Sequence, residues 1–137
     1  MNQLAPVVLE AVTGPTTLDE IHRCLDGFWA THRGVPEVIR TQVNTAVAEV
    51  GANIVEHAGK AGPVPIRMEL RLFPGQVHVD FSDQGLPAKV DLAGRSMPIE
   101  IAERGRGLAL TQAVLDRASY VRDDAGNHWT LVSKRFD

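Results

Sequence analysis

Two alternating runs on either side of one turn constrain this chain most. In PIRMELRLF, Pro65 to Phe73, the apolar Ile66, Met68, Leu70 and Leu72 alternate with Arg67, Glu69 and Arg71. Successive strand side chains point to opposite faces, so the run predicts a strand with one dry and one wet face. Pro74-Gly75 is a turn signal, and QVHVDFSD, Gln76 to Asp83, alternates again with Val77, Val79 and Phe81 inward. The prediction is an antiparallel hairpin. Its dry face must be buried under a second layer.

The flanking segments supply that layer. APVVLEAV, Ala5 to Val12, is a short β-rich run that stops at Gly14-Pro15. Thr17 then stands where a helix N-cap belongs, with Glu20 three residues on as its capping-box partner. Leu18, Ile21, Leu25, Phe28 and Trp29 share one face of the helix that follows, which Gly34 ends. Pro36 opens a second helix, where its missing N–H costs nothing, and the pattern runs to Ala58 before Gly59 and Gly62.

Gln84 to Gly105 shows no sustained period and reads as a long loop with a short helix near Ile99 to Glu103. Loops of that length inside a compact domain usually serve a function, as lids or binding loops. GLALTQAVLDRA, Gly107 to Ala118, reads as a helix, and Ser119 to Phe136 as a hairpin turning about Asp124 to Asn127. The order is strand, helix, helix, strand, strand, lid, helix, strand, strand. It predicts an α/β (α+β) two-layer sandwich, with helices on one face of a mixed, mostly antiparallel sheet. Residues 1–137 are expected to form a single domain.

Composition narrows the function classes. At 137 residues and 44% hydrophobic, the chain can bury a sizeable core. A net charge of −3 argues against the nucleic-acid backbone as a partner. The single cysteine, Cys24, allows neither an intrachain disulfide nor a thiolate metal cluster, and reads as a small core residue of the first helix. No apolar run approaches the ~20 residues that span a bilayer. The N-terminus lacks the basic-then-apolar order of a signal peptide, so a cytoplasmic location is expected.

Three patches concentrate chemistry. Glu49, Asn53 and His57 sit four apart on the second helix and line one stripe, which is either a solvated face or a ligand-facing one. Asp83 ends a strand two residues before Gly85. That pair is either a strand-end turn or a carboxylate beside backbone open to a flat ligand. Gly105 and Gly107 precede a helix, with Arg104 and Arg106 interleaved and Leu108 following. Backbone N–H groups at such a start form an anion site, although glycine-rich loops are common.

Acid-amide-His on a helix, Asp-x-Gly after a strand, and Gly-x-Gly-Leu before a helix occur in this order, with a lid between the last two. The constellation resembles the N, G1 and G2 boxes of the GHKL ATPases, whose fold is the Bergerat sandwich. The resemblance spans Val35 to Phe136. It is nearest to the stand-alone anti-sigma-factor serine kinases of bacterial partner-switching systems, whose E-x-x-x-N-x-x-x-H-A pattern stands here as Glu49, Asn53, His57 and Ala58.

The resemblance implies ATP and Mg²⁺ as ligands. Asn53 would give one oxygen to Mg²⁺, and Glu49 would act as general base for a serine hydroxyl. Asp83 would accept from the adenine amine and Gly85 would make room for the base. Gly105, Gly107 and Leu108 would offer N–H groups to the phosphates, with Arg104 or Arg106 near the γ-phosphate. For His57 the resemblance leaves catalysis, packing or closure of the cleft. The implied partners are a STAS-type antagonist as substrate and a sigma factor or comparable regulator, with a homodimer as the expected assembly and no membrane. One departure stands out: Pro87 occupies the position where G1 boxes often carry a second glycine. The alternative function is a nucleotide-dependent module that sequesters its partner without phosphorylating it.

Overall fold

The computed structural model describes residues 5–58, 60, 62–87 and 111–137, the side chains of His57 and Ala58 excepted. The expected short helix at Ile99 to Glu103 and most of the expected lid lie outside these residues.

Five strands form one sheet: β1 (Val7–Val12), β2 (Pro65–Phe73), β3 (Gln76–Asp83), β4 (Leu115–Asp123) and β5 (Gly126–Ser133). Their order is β1-β2-β3-β5-β4, and all four pairings are antiparallel. The central hairpin β2–β3 has the bounds that its alternation predicts. Gly75 at its turn has φ +80°, a backbone conformation that glycine takes without steric cost.

Two helices, α1 (Thr17–Thr31) and α2 (Glu37–Asn53), cover the dry face. Met68 and Leu70 of β2, Val79 and Phe81 of β3, and Trp129 and Leu131 of β5 are buried beneath them, against Leu25 and Phe28 of α1 and Val43, Val47 and Val50 of α2. The helices are tied to each other by Trp29, whose Nε1 donates to Asn44 Oδ1 at 2.8 Å. They approach closely at Gly51, where a Cβ would stand 3.2 Å from Ile21 Cδ1. The wet face keeps its charges: Glu69 lies between Arg67 and Arg71 and forms ion pairs with both.

Four details depart from the sequence expectation. The cap of α1 shifts by one residue to Thr16, whose Oγ1 donates to Glu20 Oε2 at 2.8 Å. Thr17 instead braces the turn before the helix, accepting from Gly14 N at 2.8 Å and donating to Val12 O at 3.0 Å. The α-helical part of the second helix stops at Asn53, and Ile54–Ala58 continue as a wider π turn. The helix expected through Ala118 is helical over residues 111–114, and β4 begins at Leu115. There Leu115 pairs with Ser133 and Arg117 with Val132 across a bulge, so tertiary pairing overrides the local helical pattern.

Candidate functional site

The stripe of Glu49, Asn53 and His57 turns as it descends α2. Steps of four residues overshoot a 3.6-residue turn by about 40° each. Ile39, Val43, Ala46 and Val50 form the buried stripe, and Asn53, three residues after Val50, continues it. Asn53 is therefore 3% exposed, not part of a solvated face. Glu49 lies at the margin and is half-buried. Neither side chain makes a hydrogen bond or ion pair with another described residue. A polar side chain at a core-facing position, not spent on holding the fold, is a candidate for contact with a ligand. The π turn begins at the next residue; such turns are frequent at functional sites. The side chain of His57 lies outside the described part.

Asp83 is the second of the sequence-predicted positions. It ends β3 on the helix-facing side and is 3% exposed. One oxygen, Oδ1, accepts from Gly85 N at 2.8 Å and from Asn127 Nδ2 at 2.9 Å. The other, Oδ2, is buried and has no hydrogen-bond partner. A buried acceptor in that condition fits a ligand that brings its own donor, as an exocyclic amine does. Gly85 is itself buried at the turn that follows, so backbone rather than a side chain lies beside the carboxylate.

The opposing hairpin holds this turn in place. Asn127, 2% exposed, faces Asp83 across the β3–β5 pairing and also donates to Leu86 O at 2.8 Å. Arg122 of β4 donates to Gly85 O at 2.9 Å and to Asn127 Oδ1 at 2.9 Å, and Tyr120 donates its hydroxyl to the same Oδ1. Gly126 lets β5 pass over the end of β3. Its φ is +120°, and a Cβ there would stand 2.2 Å from Asp83 O.

Sequence reasoning missed Tyr120, Arg122, Gly126 and Asn127 as site residues. The available signal was Asn127 itself. It alternates with Trp129 and Leu131, so it is a polar residue at a core-facing position.

Arg104, Gly105, Arg106, Gly107 and Leu108 lie outside the described residues. Among the described residues no group of three or more His, Cys, Asp or Glu gathers to hold a metal. The donor set here is a single amide oxygen at Asn53, which suits a cation that keeps its waters and bridges phosphates.

Two hollows stand out among the described residues. One of about 590 Å³, between α1 and α2, is lined by Trp29, Arg33, Arg40 and Asn44 among others. A second of about 450 Å³ lies at the end of β3 and is lined by Asp83 and Gln84 together with Arg67, Ser82 and His128. Neither contains Glu49 or Asn53.

Comparison with known proteins identifies the family. The family model described as the histidine kinase-like ATPase domain matches residues 13–133. A search of curated proteins finds no match. Among solved structures, the chain is similar to the histidine kinase domain of a blue-light-activated histidine kinase from Erythrobacter litoralis. The TM-score is 0.53 at 17% identity, with 87% of this chain and 61% of that one covered. At that identity the likeness concerns the fold, and the chain spans about three-fifths of the protein it resembles. No helix among the described residues is long and apolar enough to cross a membrane. A helix pair over an antiparallel sheet, an acid-amide pair on the second helix and a strand-end aspartate thus coincide with a family match over nearly the whole length: the chain belongs to the histidine kinase-like ATPase domains, the GHKL type.

Proposed function

We propose that this chain is an ATP-dependent protein serine/threonine kinase of the partner-switching kind. It phosphorylates a serine of a STAS-type antagonist and sequesters a sigma factor or comparable regulator. Domains of this family bind ATP, usually with Mg²⁺, which supports the nucleotide part of the reading. The observation that carries it is the unpartnered, buried Oδ2 of Asp83, an acceptor that the adenine amine would satisfy.

The kinase part rests on Glu49. Its half-buried carboxylate stands one helical turn before Asn53. A module that only sequesters needs no base there. In the proposed reaction Glu49 accepts the proton of the serine hydroxyl as its oxygen bonds to the γ-phosphorus, and ADP leaves with the bridging oxygen. Asn53 would contribute one oxygen to Mg²⁺, which would supply charge neutralisation at the phosphates when bound. The side chains of this chain orient, hold a proton and recognise the base.

A second reading, sequestration without phosphorylation, is favoured by Pro87. It fixes its own φ at the start of the lid, where the family often has a flexible glycine. Incubation of the chain with γ-labelled ATP, Mg²⁺ and a STAS-domain protein separates the two. The kinase reading expects label on the STAS protein that survives acid, as a serine phosphoester does, and loss of labelling in Glu49→Gln with ATP binding intact. ATP binding without transfer favours sequestration. Acid-labile, base-stable label on a histidine contradicts the serine assignment.

A further inference from the structure

The hydrogen bonds around Asp83 have a fixed direction. Arg122 has only donors, and the Tyr120 hydroxyl donates as well, so the Asn127 atom between them must be the amide oxygen. That turns Asn127 Nδ2 toward Asp83 and toward the carbonyl of Leu86. Asp83 Oδ1 then receives two donors, from Asn127 and from Gly85 N, while Oδ2 receives none. The chain of donors ends at one free acceptor.

We propose that Arg122 and Tyr120, on the edge strand β4, are positioning residues for base specificity: acting through Asn127, they hold Asp83 as an acceptor toward the nucleotide. The proposal rests on the reading of Asp83 as the contact to the base. Adenine offers an amine at the position where guanine offers a carbonyl, so a site held as an acceptor favours adenine. If Asn127 were free to rotate, its oxygen would meet Asp83 Oδ1. Repulsion between those two acceptors would displace the carboxyl, and the preference would fall. Arg122 also binds Gly85 O, so the same side chain holds the turn on which the base would lie.

Calorimetric titration of the whole chain with Mg-ATP and with Mg-GTP tests this, read as the ratio of the two affinities. The parent is expected to prefer ATP and Asp83→Asn to lose that preference. The double variant Tyr120→Phe/Arg122→Leu is expected to lower the ratio by about fivefold to tenfold, roughly one net hydrogen bond, with GTP affinity held or raised. Arg122→Lys, still a donor without acceptors, restores most of the ratio. Tyr120→Phe alone keeps the ring that packs on Trp129 at 4.7 Å, so it reports even if the double variant fails to fold, with a smaller drop expected. A double variant with the parent's ratio, or one that loses ATP and GTP equally, overturns the proposal while the Asp83 reading stands. An Asp83→Asn variant with the parent's ratio overturns both.

Discussion

Replacing Gly126 with alanine tests the junction on which the site depends. The new methyl meets two obstacles. A non-glycine residue at φ +120° leaves the allowed regions, at a cost of about 1–3 kcal/mol. Its Cβ would also stand 2.2 Å from Asp83 O and 3.0 Å from Gln84 Cα. Both are backbone atoms, and Asp83 is held in the ladder by Ile66 on one side and Asn127 on the other, so neither side yields cheaply. Forced overpacking of this kind adds about 1–3 kcal/mol, for a sum of about 2–6 kcal/mol. At about 4 °C per kcal/mol for a domain of this length, Tm falls by about 8–24 °C. Far-UV circular dichroism during heating reads it. Relief of the clash requires β3 and β5 to part at Asp83, so ATP binding weakens in molecules that remain folded. A Tm within about 2 °C of the parent's, with unchanged ATP binding, refutes the close approach and the role assigned to it.

Three further outcomes are expected. Asn53→Ala removes a side chain with no hydrogen bond to another described residue, so Tm changes little while Mg²⁺-dependent ATP binding is lost; retained binding in a titration with and without Mg²⁺ removes the metal role. Asp83→Asn, with Gly85 N and Asn127 Nδ2 still donating to its oxygen, presents an amine where Oδ2 stood, so an ATP-agarose column that retains the parent is expected to release the variant. Stability is expected to fall with acid. Burial pushes the Glu69 carboxyl up, but the hydrogen bonds and charges of Arg67 and Arg71 together pull it below its ordinary value. Burial lowers His78, Asp80 opposes this, and Arg117 and Arg71 add to it. The unfolded state therefore takes up protons first, from about pH 6.5 downward for His78 and below the ordinary carboxylate value for Glu69. Urea midpoints measured from pH 7 to pH 4 should decline, and a midpoint that rises on acidification contradicts the sign.

The legible parts of the fold are those whose pattern is local. Alternation in Pro65 to Asp83 carries its own period, and the β2–β3 hairpin has the predicted bounds. The apolar face of α1 likewise holds Ile21, Leu25, Phe28 and Trp29 buried together. Leu115 to Ala118 read as helix because the bulge at Leu115/Arg117 breaks the two-residue period, and the pairing that makes them a strand lies in β5. The Glu49–Asn53 stripe was visible, but its burial was not, because the rotation that carries Asn53 into the interior accumulates over the helix. Asp83 and Gly85 could be singled out from their order alone. Their supports could not: Asn127 is 44 residues from Asp83, and only sheet order brings them together.

The central claim is that an adenine nucleotide binds between the C-terminal end of α2 and the Asp83 turn. An amide ¹H–¹⁵N correlation titration of the full chain with Mg-ATP tests it most directly. The account predicts saturable shifts that centre on Asn53, Asp83, Gly85 and Asn127 and are absent in Asp83→Asn at the same nucleotide concentration. Shifts confined to Trp29, Arg33 and Arg40 in the hollow between α1 and α2, or no shifts at all, would contradict it.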